Sequence, residues 1–283
     1  MRKVQHTFYL LAVVFVLLSC QGNPQPPAGK PSICVSIEPL RYFTEILAGE
    51  HFTVFSLVPE GANPETYDPT PQQLVRLNEC QAMLMAGYLG YELAWRDRLS
   101  ENAAKVNFYN LSEGVDLLEE EEHELIEPHI WNSTVNARII SRHIADILCT
   151  LDNEHQEEYR QNLLRLESQI TLLEQRLREL LAAPGADRAF MIYHPSLTYF
   201  ARDFGLHQIS IETEGKEPTP AQLKTLMEQC LAENVHIVMV QPQFDQKNAR
   251  IIAEQTNTRI VEVNPLAYEW EEQLMHIAEA LRN

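Results

Sequence analysis

The sequence predicts an α/β protein of two similar lobes, each with a mostly parallel sheet, joined by one long rigid helix, with the binding crevice between the lobes. Three observations lead there. Short apolar runs alternate with amphipathic helical stretches from Ile33 onward, the alternation that builds a parallel sheet through crossover helices. Past Leu111 the strands stop, and a long leucine stripe at helical spacing follows. From Ala189 the alternation of strand and helix resumes and runs to the end.

In the first lobe the strands are expected at Ile33 to Ile37, Phe52 to Leu57, Ala82 to Ala86 and Val106 to Tyr109. Helices are expected near Leu40 to Ala48, Gln72 to Leu77 and Tyr91 to Leu99. A helix near Val135 to Leu148 precedes the long one, Asn153 to Leu181, whose stripe is Leu163, Leu164, Leu166, Leu172, Leu173, Leu177, Leu180 and Leu181. Pro184-Gly185 ends it. At 1.5 Å per residue that helix reaches about 43 Å, enough to run along both lobes. The second lobe has strands at Ala189 to Tyr193, His207 to Ile211, Ile237 to Val240 and Arg259 to Val263. Its helices lie near Leu197 to Phe204, Pro220 to Glu233, Gln246 to Thr256 and Glu269 to Leu281.

Ahead of the first strand, Arg2 and Lys3 precede an apolar run from Phe8 to Leu18 that closes on Ser19-Cys20. That is a secretory signal, too short to span a membrane stably. Cys20 stands where a bacterial lipobox places its lipid-bearing cysteine, and Gln21 to Pro31 is a Pro/Gly tether. The expected division is 1–20 signal peptide, 21–31 tether, 32–152 N-terminal lobe, 153–183 linking helix and 184–283 C-terminal lobe. The protein is thus expected outside the cytoplasm, held to a membrane only through its N-terminal lipid, and monomeric.

A formal charge of −18 disfavours nucleic acid and anionic membrane as partners. Beyond Cys20 there are four cysteines, Cys34, Cys80, Cys149 and Cys230, with no C-x-x-C pair. A disulfide is open to an exported protein, but sequence does not give a pairing. With no G-x-x-x-x-G-K-[ST] loop the chain supplies no P-loop ATPase.

Ligands of an open parallel sheet bind at the carboxyl ends of its strands, so polar residues just after strands are the candidates. The loop Pro59 to Pro71, stiffened by its prolines, presents Glu65 or Asp68. His129 is held between Pro128 and Ile130, His194 follows a strand in Tyr193-His194-Pro195-Ser196, and Asn264 follows another. Two histidines and a carboxylate suit zinc, a borderline ion that takes imidazole nitrogen and carboxylate oxygen.

These segments resemble the zinc and manganese substrate-binding proteins of ABC importers. Pro64-Glu65-Thr66-Tyr67-Asp68-Pro69-Thr70-Pro71 is similar to that family's Pro-His-x-Tyr-Glu-Pro-x-Pro, and Glu127-Pro128-His129-Ile130-Trp131 to its Asp-Pro-His-x-Trp. His194 to Phe200 resembles its His-x-x-x-x-Tyr-Phe, Glu217 to Pro220 its Glu-Pro-Ser-Pro, and Gln241 to Phe244 its Glu-Pro-Gln-Phe. The resemblance spans the chain from Ile33 onward. It implies a metal site of Glu65, His129, His194 and Asn264, a rigid linking helix with limited lobe movement, and delivery of the ion to a membrane permease driven by a separate ATPase. Glu65 stands where the family has histidine, and Asn264 where it has aspartate. A His₂Glu site completed by water, Asn264 or a second Glu65 oxygen is chemically sound for zinc, and added oxygen favours manganese or iron as the alternatives. The acidic run Glu119 to Glu122 with His123 occupies the place of the family's longer His-rich loop.

Other readings are weaker. A zinc hydrolase uses the same ligands, but no H-E-x-x-H helix or separate base is evident. An adhesin lacks a recognisable adhesive patch, and a degenerate receptor that has changed its ligand rests on the two substitutions alone.

Overall fold

The computed structural model describes residues 29–120, 125–212 and 215–282. The expected signal peptide, Cys20, most of the tether, and the centre of the acidic run with His123 lie outside them.

In the first lobe β1 (Ser32–Val35), β2 (Thr53–Ser56), β3 (Ala82–Met85) and β4 (Asn107–Asn110) form a wholly parallel sheet in the order β2-β1-β3-β4. Helices α1 (Glu38–Ala48), α2 (Pro71–Leu77) and α3 (Gly90–Asn102) make the crossovers. The second lobe repeats the plan with β7 (Ala189–Ile192), β8 (His207–Ser210), β9 (Ile237–Val240) and β10 (Arg259–Glu262) in the order β10-β9-β7-β8, again all parallel. Its helices are α6 (Thr198–Phe204), α7 (Pro220–Ala232), α8 (Lys247–Thr256) and α9 (Trp270–Ala280). Between the lobes run α4 (Thr134–Leu151) and α5 (Gln156–Leu181). The acidic run, read from sequence as a loop, opens a short antiparallel pair, β5 (Glu119–Glu120) with β6 (Leu125–Ile126).

Helix α5 starts at Gln156 because Asn153–His155 forms a 3-10 turn capped by Asp152, whose side chain accepts from Glu154 N. Its 26 residues span roughly 39 Å. The buried face is Tyr159, Asn162, Leu166, Ile170, Leu173, Leu177 and Leu181, a strict three-four spacing. Leu164 and Leu172, counted in the stripe from sequence, point outward at 64% and 60% exposure. Helix α5 packs on α4, on α1 of the first lobe and on α9 of the second. One buried core therefore continues from Ile33 and Leu40 through Leu166 and Ile170 to Phe190 and Leu274. A smaller core lies on the other face of the second sheet, where Met191 and Tyr193 alternate with Phe190 and Ile192.

The same local chemistry opens α2 and α7. Thr70 accepts from Gln73 N while Gln73 Oε1 accepts from Thr70 N, with Pro71 first in the helix. Thr219, Gln222 and Pro220 reproduce this in the second lobe, a reciprocal cap that satisfies donors the helix leaves open.

Helix α3 is anchored by a buried carboxylate. Glu92 accepts from Ala86 N at 2.9 Å, Gly87 N at 2.6 Å, Leu89 N at 3.4 Å and the Ser36 hydroxyl. Burial dominates and pushes this carboxyl from 4.5 up to about 7, against those four donors. A folded value above the unfolded one means that the protonated form stabilises: the contribution is complete below about pH 4.5 and is lost as pH rises through about 7. Denaturation midpoints taken across that window should fall by an amount worth on the order of 3 kcal/mol, and Glu92→Gln should flatten the fall.

Candidate metal site

Loops at the carboxyl ends of the two sheets and the segment after β6 meet between the lobes. The loop after β2 is pinned at both ends: Gln73 donates to Leu57 O at 2.7 Å and accepts from Tyr67 OH at 2.8 Å. Within it, Asn63 Oδ1 accepts from Glu65 N at 2.9 Å, and Tyr91 N donates to Pro64 O at 3.1 Å. Glu65 turns inward, while Asp68 stays exposed and accepts from Trp95 Nε1 at 2.9 Å.

Gly90 N donates to Glu65 Oε2 at 3.0 Å, and Oε1 is buried without a hydrogen-bond partner. A Cβ at Gly90 would lie 2.3 Å from Glu65 O and 2.9 Å from Oε2. Gly90→Ala must push the Glu65 backbone and carboxylate aside, and affinity for any ion that Glu65 holds is expected to drop roughly 10–100-fold, the loss typical of a displaced supporting contact. Calorimetric titration checks it.

His129, 5% exposed, comes from the segment between β6 and the 3-10 turn Ile130–Asn132. Its Nδ1 donates to Glu127 Oε1, which also accepts from His129 N at 3.0 Å. Glu127 Oε2 accepts from the Thr198 hydroxyl at 3.1 Å. Burial raises the Glu127 carboxyl, but the adjoining His129 ring outweighs it and leaves the group below the usual carboxylate range. His194, after β7, donates from Nδ1 to Glu212 Oε1 at 2.7 Å, and its ring stacks on Phe244 at 4.8 Å and 19°. Gln241 clamps the His194 backbone, accepting from its N–H at 3.2 Å and donating to its carbonyl at 2.7 Å.

These contacts set the tautomers. A carboxylate accepts only, so the proton of each neutral imidazole sits on Nδ1 and the lone pair on Nε2. The two Nε2 atoms face each other at 3.1 Å. Two lone pairs so placed repel unless a proton or a cation lies between them. Donor atoms of Glu65, His129 and His194 all lie within 4.8 Å of one another. Three carboxylates, at or behind the two rings, favour a dication there. The adjoining cavity is about 20 Å³, lined from both lobes by Pro64, His129, Trp131, His194, Gln241, Phe244 and Pro265, room for one ion or water.

Asn264, the fourth residue expected from sequence, is nearby but engaged. Its Oδ1 accepts from Gln243 Nε2 at 3.0 Å and from Leu266 N at 3.3 Å. Glu127 and Glu212 received no role from sequence. Glu127 stands in the Glu-Pro-His segment itself, and Glu212 falls two residues past β8 at the same carboxyl edge as the other candidates, which is the signal that could have found it.

The four cysteines after Cys20 are free thiols, with Cys34, Cys80 and Cys230 buried. No helix among the described residues is long and apolar enough to cross a membrane.

Comparison with known proteins agrees with this geometry. Residues 33–282 match the family model ZnuA, zinc-uptake complex component A, periplasmic. A crystal structure of ZnuA superposes with a TM-score of 0.84 at 35% identity, covering 88% of this chain and 96% of that one. Among curated proteins, the metal ABC transporter substrate-binding lipoprotein FimA of Streptococcus parasanguinis is 26% identical over 279 residues, 92% of this chain and 88% of its own length. The manganese ABC transporter substrate-binding lipoprotein PsaA of Streptococcus mitis matches at the same identity and coverage. With its folded chain matched almost throughout, the protein belongs to the ZnuA family of metal substrate-binding proteins of ABC importers.

Proposed function

We propose that the ion this receptor captures is zinc, held by Glu65, His129 and His194, and that it is passed to a membrane permease powered by a separate ATPase. One observation carries the reading: two imidazoles, each fixed by a buried carboxylate on Nδ1, turn their Nε2 atoms on each other at 3.1 Å beside a partnerless carboxylate oxygen. The Asn264 carbonyl is bonded to Gln243 and Leu266, so water or the second Glu65 oxygen completes the shell. Two nitrogens and one carboxylate suit zinc, whereas manganese favours a set richer in oxygen.

The reading is of a receptor and not a hydrolase. Glu127 and Glu212, the carboxylates beside the histidines, are committed to orienting them, which leaves neither as a general base. The Cys20 lipid anchor, an extracytoplasmic location and a monomeric state complete the proposal, and 153–183 is its linking segment between lobes 32–152 and 184–283.

Competition calorimetry tests the ion. Zinc titrated into manganese-saturated protein should displace manganese, with one zinc bound per cleft. Failure of zinc to displace manganese would reassign the cargo.

A further inference from the structure

A second cluster of metal-binding side chains lies at the opposite end of the first sheet. His51 precedes β2, whereas Glu65 follows it, so the two lie at opposite ends of that strand. His51 meets the corner between α4 and α5, where Asp152, His155 and Glu158 recur at every third position. Donor atoms of His51, Asp152 and His155 lie within 4.8 Å of one another. His155 Nδ1 faces Asp152 Oδ2 at 2.7 Å, and His51 Nε2 faces Glu158 Oε2 at 2.9 Å. The two imidazoles stack, with centroids 3.7 Å apart and planes at 24°. Asp152 is fixed in place by Tyr159 OH at 2.7 Å and by Glu154 N at 3.1 Å.

Protons alone serve this arrangement poorly. Each ring has a carboxylate beside it, and two imidazolium rings stacked at 3.7 Å would repel each other. A single dication satisfies both carboxylates and leaves both rings neutral. Two ligands of one zinc ion, each at roughly 2.0–2.2 Å, stand about 2.9–3.5 Å apart. The observed nitrogen to oxygen spacings lie at or just under that range, and the two stacked rings must turn about their Cβ–Cγ bonds for both lone pairs to meet one ion.

We propose that His51, Asp152, His155 and Glu158 form a second, surface site for a borderline divalent transition metal such as zinc, which ties the turn before β2 to the foot of the linking helix. Two nitrogens and the Asp152 carboxylate form its core, with Glu158 reached beside His51 and water closing the shell. Its partial exposure, with side-chain accessibilities of 24% at His51 and 48% at Glu158, makes it the weaker and more readily exchanging of the two sites. It does not depend on the cleft reading.

The test uses the untagged, metal-stripped chain carrying His129→Ala and His194→Ala, which silences the cleft. Zinc titrated into it by calorimetry should show a saturable site, and zinc should raise its melting temperature. Adding His51→Ala and His155→Ala should weaken that binding at least tenfold and abolish the rise. On an otherwise unaltered chain those two substitutions, at partly exposed positions, should leave tight binding of one zinc intact. The inference is overturned if the cleft-silenced protein takes up no zinc saturably, or if its uptake and melting temperature are indifferent to His51→Ala and His155→Ala.

Discussion

His194→Ala is expected to weaken zinc binding by more than the roughly 10–100-fold that follows loss of a supporting group. The imidazole is a direct ligand in this account, and His129 and Glu65 cannot close the shell alone. Glu212→Gln gives the matched comparison. It keeps the imidazole but replaces the ionised acceptor of its Nδ1 proton at 2.7 Å, so its loss should stay within that 10–100-fold range. The ordering is the diagnostic result, since His194→Ala also strips Glu212 of its partner and lowers stability as well. Calorimetric affinities set beside melting temperatures separate the two effects. Equal affinities for the two variants would contradict a ligand role for His194.

Trp270→Ala should destabilise the protein by about 3–5 kcal/mol, the usual cost of emptying a buried tryptophan site. Trp270 is 1% exposed and packs edge-on against Phe43 of α1 at 4.8 Å. Its Nε1 donates to Trp131 O at 2.7 Å, and Trp131 Nε1 donates in turn to Pro265 O at 2.8 Å. The substitution therefore opens a cavity between the last helix and the first lobe, and it removes the donor to a buried carbonyl two residues from His129. Urea denaturation of the metal-free protein measures the first effect, and a parallel loss of zinc affinity reports the second. A change below about 1 kcal/mol would mean that the lobes are not tied together through this pair.

The architecture was legible because strands such as β1, β3, β7 and β9 are short apolar runs, while helices such as α1 and α4 carry a three-four apolar spacing, two periods that do not mimic each other. What escaped sequence reading was decided by contacts distant along the chain. Leu164 and Leu172 count as apolar wherever they sit, and only the packing of α4, α1 and α9 around α5 determines that they face outward. The β5 and β6 pair hides in an acidic run that carries no apolar alternation. Asn153 to His155 departs from helix because the Asp152 side chain takes up a backbone donor, an interaction that spacing does not encode.

The site divides along the same line. Glu65, His129 and His194 stand beside prolines in loops after strands or ahead of helices, so their rigidity is written locally. Glu212 and Gln241 act on His194 across 18 and 47 residues of chain, so although each follows a strand, its partner is not written locally. Asn264 shows the converse: its position after a strand was evident, but its carbonyl is drawn off by Gln243 and Leu266.

Zinc-edge X-ray absorption on the stripped protein carrying His51→Ala and His155→Ala, loaded with one equivalent of zinc, tests the central claim most directly. The account predicts two imidazole nitrogens and carboxylate or water oxygen at about 2.0–2.2 Å, with no sulfur in the shell, and loss of one imidazole from the spectrum in His194→Ala. A shell containing thiolate sulfur, or one that keeps both imidazoles after His194→Ala, would contradict it.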